Sequence, residues 1–251
     1  MIDHFDEYCV SYLNSLNDWK SRLPNDWKNL RHLGYLRDYS RYIDLVVSQA
    51  SGGCILDWGA GNGHVSYLLK KTEKFKSIST FLVNADDQTI SFLRNGLDLD
   101  VVNSLEKIKL QYEDGAFDCV LSSGVLEHVT EYGGSLESTL GEIRRVLKPG
   151  GVFICWRLPF SFSIWEYLRY SRGDWYHEDR YTSLRVKSLM RNAGFALTEM
   201  RLDGLGFVAM RAALRRTLIG HKAVEAAEVF FDAHPSSHLL LNDICFVAAK
   251  H

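Results

Sequence analysis

Cys54-Ile-Leu-Asp-Trp-Gly-Ala-Gly-Asn-Gly-His-Val-Ser66 decides the fold of this chain. An apolar strand ends at Asp57, glycines follow at alternate positions (Gly59, Gly61 and Gly63), and a helix opens with Val65, Leu68 and Leu69 on one face. Glycine belongs where the backbone must turn tightly or lie against a ligand with no Cβ in the way. A glycine turn between a strand and a helix N-terminus suits the sugar and tail of a nucleotide-like molecule. Dinucleotide folds place a third small residue in the pattern G-x-G-x-x-G, and counting from Gly59 that position is His64.

Outward from this turn, short apolar runs alternate with helical patterns. Strands are predicted at Cys54–Asp57, Ser79–Val83, Asp100–Val102, Cys119–Ser122, Val152–Trp156, Ala196–Leu202 and Ile244–Ala249, with helices at Val65–Lys70, Thr89–Arg94, Ser135–Leu147 and Ser183–Asn192. Alternation of this kind builds βαβ units and a parallel sheet covered on both faces. Asp3 to Gln49 reads as helical, rich in aromatics and broken at Pro24. These helices are expected either to cap an active site or simply to pack on the sheet. Two units are therefore expected: an N-terminal helical cap over 1–50, and an α/β domain over 51–251 with a helical insertion at 203–242. Within that insertion Arg211, Arg215 and Arg216 group on one side of a helix; a solvated helix face is the first reading, contact with an anionic substrate the second.

Composition narrows the function classes. The chain has 251 residues, is 46% hydrophobic and 24% charged, and carries a net charge of −2, so no global positive field points to nucleic acid. Its 5 cysteines form no C-x-x-C pair and read as buried, reduced thiols of a cytoplasmic protein. The acidic start, Met1 to Glu7, does not read as a signal peptide, and no run approaches the ~20 apolar residues of a membrane span.

Several segments resemble one family in order and spacing. The G-x-G-x-G turn with Asp57 upstream resembles motif I of class I S-adenosylmethionine-dependent methyltransferases. Phe117-Asp-Cys-Val-Leu-Ser-Ser-Gly-Val-Leu-Glu-His-Val129 is similar to the fourth strand and following loop of the small-molecule (type 11-like) branch. Gly141-Glu-Ile-Arg-Arg-Val-Leu-Lys-Pro-Gly-Gly151 is similar to its helix-to-fifth-strand turn. His177 to Thr182, then Leu189 and Ala193-Gly-Phe195, resembles a later stretch of the same branch. The resemblance implies an α/β, doubly wound, mostly parallel Rossmann-like sheet of seven strands with the last one antiparallel.

It also implies residue roles. Gly59 and Gly61 would let the backbone approach the tail and ribose of S-adenosylmethionine, and Asp57 would orient the loop or accept from the amino group. The family's acid after the second strand is here Asn84, and the acid after the third is Ser104, so both charges are replaced by neutral groups. Ala60, Ala85, Leu105, Ser122 and Ser123 complete the expected cofactor surface. His128 is the candidate base, because imidazole is the side chain suited to proton transfer near neutral pH. Arg157, His177, Arg180 and Tyr181 are candidates for the acceptor side, and Trp156, Phe160, Phe162 and Trp165 either form an apolar wall or pack internally.

The expected activity is O-methylation of a small hydroxylated or sugar-derived metabolite, yielding S-adenosylhomocysteine, with no metal. A small-molecule acceptor is the expected partner, with no nucleic acid and no stable membrane insertion, and a homodimer is left open. Two rivals stand beside this: a catalytically degenerate binding or regulatory protein, and an NAD(P)-dependent oxidoreductase, against which His64 argues.

Overall fold

The computed structural model describes residues 4–19, 23, 32–106, 109–131, 133–173, 177 and 179–251. Seven strands form one sheet: β1 (Cys54–Trp58), β2 (Ser77–Val83), β3 (Asp100–Ser104), β4 (Phe117–Ser123), β5 (Leu147–Pro159), β6 (Phe195–Leu205) and β7 (Leu241–Lys250). Their order is β3-β2-β1-β4-β5-β7-β6. Strands β1 to β5 pair in parallel, and β7 runs antiparallel between β5 and β6. The helices are α1 (Phe5–Asp18), α2 (Leu33–Arg37), α3 (Ser40–Ala50), α4 (His64–Lys71), α5 (Asp87–Ser91), α6 (Leu136–Val146), α7 (Ile164–Ser171), α8 (Ser183–Asn192), α9 (Val208–Leu214) and α10 (Leu218–Asp232).

Strand alternation divides the core in two. Ile55, Cys119, Leu121, Ile154, Trp156 and Val247 face one side, where they pack with Tyr12, Tyr39, Tyr42, Val65 and Leu68 from α1, α3, α4 and the residue before α3. Leu56, Val120, Phe153, Cys155 and Phe246 face the other, against Leu140 and Ile143 of α6 and Met190 of α8. Both faces being covered explains why the strands read as near-continuous apolar runs. Helix boundaries follow local chemistry. Ser135 caps α6 by accepting from the Ser138 N–H, and Thr182 caps α8 by accepting from the Arg185 N–H. All five cysteines are free, and Cys9, Cys119, Cys155 and Cys245 are buried.

The expected break at Pro24, with Trp27 beside it, lies outside the described residues. Of the described N-terminal aromatics, Tyr12, Tyr39 and Tyr42 are core residues, and Tyr12 also reaches the glycine turn by donating to the Asn62 carbonyl at 3.1 Å. No helix among the described residues is long and apolar enough to cross a membrane.

The arginine triplet departs from its first reading. Arg211 and Arg215 are each 1% exposed, and only Arg216 is solvated. Helix α9 lies so close on α2 that a Cβ at Gly34 would sit 1.8 Å from the Ala212 carbonyl oxygen. That approach drives both guanidinium groups inward, where Asp38 receives them at 3.3 Å (Arg211) and 3.0 Å (Arg215).

Candidate functional site

Strand order reverses between β1 and β4, and open α/β sheets take ligands at that point, beyond the carboxyl ends of the strands. A cavity of about 570 Å³ lies there, lined by the end of β1 and its turn (Trp58, Gly59, Gly61, Asn62), the end of β2 (Leu82 to Ala85) and the loop after β4 (Val125, His128, Val129).

The turn is fixed from below. Gly59 and Ala60 both donate their N–H to the Phe81 carbonyl, and the Gly63 N–H closes on Ala60. Gly59 and Gly61 have φ of +73° and +52°, where a side chain is strained. The two differ in what they face. A Cβ on Gly59 would strike Val125 at 2.7 Å, whereas one on Gly61 would meet only the Gly59 carbonyl at 4.0 Å and project into open space. Asp57 lies beneath the turn, 1% exposed, and accepts from the Ser66 hydroxyl of α4 at 2.6 Å. It therefore orients the loop rather than lining the cavity.

Burial pushes the Asp57 carboxyl up to about 6, against the hydrogen bonds from Ser66. A carboxyl raised in the folded state adds stability at low pH and loses it as pH climbs through the folded value. The stability of wild type relative to Asp57→Asn is thus expected to fall by roughly 2–3 kcal/mol between about pH 4 and pH 6. Urea unfolding of both proteins across that range reads the difference; a pH-independent gap would contradict the buried carboxyl.

Asn84 and Ala85 line the cavity, and Asn84 takes up φ of +50°, which Asn tolerates better than most residues. Its N–H donates to the Ser104 carbonyl. Ala85 is held at both backbone groups by the Asn103 side chain, at 3.0 and 3.2 Å. Asn103 was not singled out in the sequence because its role depends on strand register alone. Ser104 is buried, and its hydroxyl accepts from the Glu106 N–H, so it caps its own turn and does not line the cavity. Leu105 is 82% exposed and also lies outside the lining. Asp86, the neighbouring acid, is committed to capping α5 through Thr89. Ala60, Ser122 and Ser123 support the walls without lining them.

On the far side, His128 sits in a 3₁₀ turn, Leu126–His128, after β4. Its Nδ1 lies 2.8 Å from a Glu131 carboxylate oxygen, and its ring is 5.9 Å from that of His177. His177 in turn sets Nδ1 3.2 Å from the fully buried Glu166. Thr130 donates to Asp179 at 2.5 Å, tying the loop after β4 to the segment before α8.

The other acceptor-side candidates are placed differently. Arg157 points away from the cavity. It occupies a bulge between Cys155 and Leu158 with φ of +59°, donates to Asp38 at 2.8 Å and to the Tyr35 hydroxyl at 3.1 Å, and stacks 4.4 Å from the Tyr39 ring centre. The bulge re-aims a side chain that regular alternation would have placed elsewhere. Tyr181 is buried and bridges Phe160, and Arg180 is half-buried. Trp156 stacks on Tyr42 at 4.9 Å and Phe160 is buried, while Trp165 packs on Phe207 and donates to the Leu240 carbonyl; only Phe162 is exposed, so no continuous aromatic wall forms.

Residues 56–155 match the family described as a methyltransferase domain. Over those residues the sequence is that of a methyltransferase domain. The ubiquinone/menaquinone biosynthesis C-methyltransferase UbiE of Xylella fastidiosa is 33% identical over 137 residues, 52% of this chain and 52% of that protein. The chain spans about half or less of the length of the curated relatives it matches. Among solved structures, a SAM-dependent methyltransferase from Aquifex aeolicus superposes with a TM-score of 0.55 at 16% identity, covering 91% of this chain and 99% of that one. The 1,6-didemethyltoxoflavin-N1-methyltransferase of Burkholderia thailandensis, solved with its substrate and S-adenosylhomocysteine, gives 0.52 at 14% identity, covering 98% and 86%. At these identities the superpositions speak for the fold.

The solved Burkholderia enzyme holds S-adenosylhomocysteine, and the residues present here fit a ligand of that kind. The open face of Gly61 leaves room for a ligand against the backbone, Asn84 offers a hydrogen-bonding group at the end of β2, and the cavity volume lies in the ordinary range of roughly 300–1,000 Å³ for small-ligand sites. What is missing is charge: a neutral amide replaces a carboxylate, and charge-assisted hydrogen bonds are about twice as strong as neutral ones.

Proposed function

We propose that this protein is an O-methyltransferase acting on a small hydroxylated or sugar-derived acceptor. The observation that carries the reading is the pairing, across one cavity, of the open glycine turn with a histidine oriented by a carboxylate. When bound, S-adenosylmethionine supplies a methyl group on a positively charged sulfur, already activated for transfer. The chain's own work is then alignment and proton removal. Gly59 to Asn62 and Asn84 hold one side, while Val125 and Val129 narrow the opening and exclude water. His128, with Nδ1–H directed to Glu131, presents Nε2 to take the acceptor's hydroxyl proton. A nucleophile, a base and a group that orients the base are the arrangement this chemistry needs.

A degenerate binding protein is the second reading. It is favoured by Ser104, whose hydroxyl is spent on its own turn. An oxidoreductase reading is disfavoured: His64 is wedged against Tyr39 at 4.6 Å, at the position where a dinucleotide turn needs a small residue. Free, buried thiols support a reducing compartment such as the cytoplasm.

Calorimetric titration with S-adenosylmethionine and S-adenosylhomocysteine tests the proposal. Micromolar binding is expected, tightened about tenfold by Asn84→Asp, which restores a charged acceptor. Gly61→Val, which fills the open face, is expected to weaken binding at least ~100-fold while the protein stays folded. Absence of binding by a folded wild type would favour the degenerate protein.

A further inference from the structure

Three side chains that the cofactor does not need converge beside the cavity. Glu127, His128 and His177 each bring a potential ligand atom to within 4.8 Å of the other two. They come from two separate elements, the 3₁₀ turn after β4 and the segment between α7 and α8. Each imidazole is oriented by its own carboxylate: Glu131 lies 2.8 Å from His128 Nδ1, and Glu166 lies 3.2 Å from His177 Nδ1. Carboxylates that hold Nδ1–H and so direct Nε2 are the usual outer partners of metal-binding histidines. Glu166 is itself pinned by Arg169 at 2.8 Å and by the His177 backbone N–H at 3.2 Å, so the ring it holds is fixed.

A second observation concerns Glu127. Its side chain is 3% exposed, its Oε1 lies 3.9 Å from His128 Nε2, and its Oε2, fully enclosed, has no hydrogen-bond partner among the described residues. A buried carboxylate oxygen with nothing to satisfy it is costly, and native proteins resolve that cost with a proton, a water or an ion.

We propose that Glu127, His128 and His177 form a binding site for a divalent transition-metal ion at the rim of the cavity. Two imidazoles and one carboxylate favour zinc, iron, cobalt or manganese over magnesium or calcium, which prefer oxygen donors throughout. Bonds of about 2.0–2.2 Å place ligand atoms of one zinc roughly 3–4 Å apart, so the 4.8 Å span closes by small rotations of the rings and the Glu127 side chain. Three protein ligands leave coordination positions open, as in sites that accept an exogenous oxygen. His128 lines the cavity, so the open side faces the acceptor space; with the ion bound, Nε2 of His128 is a ligand and not a base, so proton removal by His128 belongs to the metal-free protein.

The test is calorimetric titration of the purified full chain with zinc sulfate, repeated with cobalt(II) chloride followed by visible absorption. One equivalent is expected to bind with micromolar or tighter affinity. His177→Ala is expected to weaken binding at least 100-fold. Glu127→Gln, which keeps the side-chain shape but replaces the carboxylate ligand by an amide, is expected to weaken it at least tenfold with no loss of thermal stability. Glu166→Gln, which touches no ion itself and acts through the placement of His177, is expected to weaken it by about 10–100-fold. No binding by wild type overturns the proposal, as does equal binding by His177→Ala and Glu127→Gln, which would place the ion on others of the nine histidines. The readout involves no turnover and no cofactor, so its failure leaves the methyl-transfer reading untouched.

Discussion

Asp38→Ala is expected to cost about 3–5 kcal/mol, the range found when one partner of a buried ion pair is removed and the other is left stranded. The Asp38 side chain is 8% exposed and faces three guanidinium groups: Arg157 at 2.8 Å, Arg215 at 3.0 Å and Arg211 at 3.3 Å. Burial alone would raise its pKa, but Arg211, Arg157 and Arg215 hold it down at about 2, so the carboxylate is charged at any working pH. Remove it and Asp243, 3.6 Å from Arg211, and Glu228, 2.8 Å from Arg215, must balance the cluster without reaching Arg157 at contact distance. The loss is a large part of the roughly 5–15 kcal/mol that folds a typical domain. Asp38→Asn should behave similarly, because it keeps the shape and removes the charge. Arg216→Ala, one residue beyond the cluster and solvated, is the control and should lie within about 0.5 kcal/mol of wild type. Urea denaturation of the three variants gives the comparison. A cost below about 1 kcal/mol for Asp38→Ala would mean that water reaches these arginines.

This cluster also marks where the sequence could be read and where it could not. The glycine turn was legible because its requirement is local: positive φ and an open face demand glycine whatever the rest of the chain does. Helix α8 runs from Ser183 to Asn192, the span predicted, because a threonine cap and a glycine stop bound it on either side. The antiparallel last strand and the seven-stranded sheet followed from the resemblance and are present. The arginines were not legible. Asp38 and Arg211 are 173 positions apart, and no local pattern tells a guanidinium that will meet a carboxylate from one that will meet water. Arg157 was misread for a related reason: a bulge and φ of +59° turn it toward α2, against the alternation that the apolar run suggests. Ser104 sits at the expected position in the chain, yet its hydroxyl is taken by the Glu106 N–H, which depends on how the strand ends rather than on its sequence. The convergence of Glu127, His128 and His177 likewise needed the fold, since the two segments lie about fifty residues apart in the chain.

His128→Ala is expected to lower turnover of an oxygen acceptor by about 10²–10⁴-fold, the usual worth of a positioned general base. Cofactor affinity should change little, because the opposite wall of the cavity, Gly59 to Asn62 with Asn84 and Ala85, is untouched. Two further variants separate proton transfer from packing. Glu131→Gln leaves a group able to hold the ring but removes the charge that stabilises the imidazolium, so turnover should drop about tenfold with unchanged KM. His128→Gln fills the space without a base and should be nearly as slow as alanine. An acceptor that is already ionised, such as an acidic phenol, does not need its proton removed, so on it His128→Ala should recover most of the wild-type rate. Single-turnover rates on a pair of acceptors differing only in acidity measure this. An equal loss on both acceptors would assign His128 a placement role, and no loss on either would remove it from the chemistry, leaving alignment along the transfer axis as the main contribution of the protein.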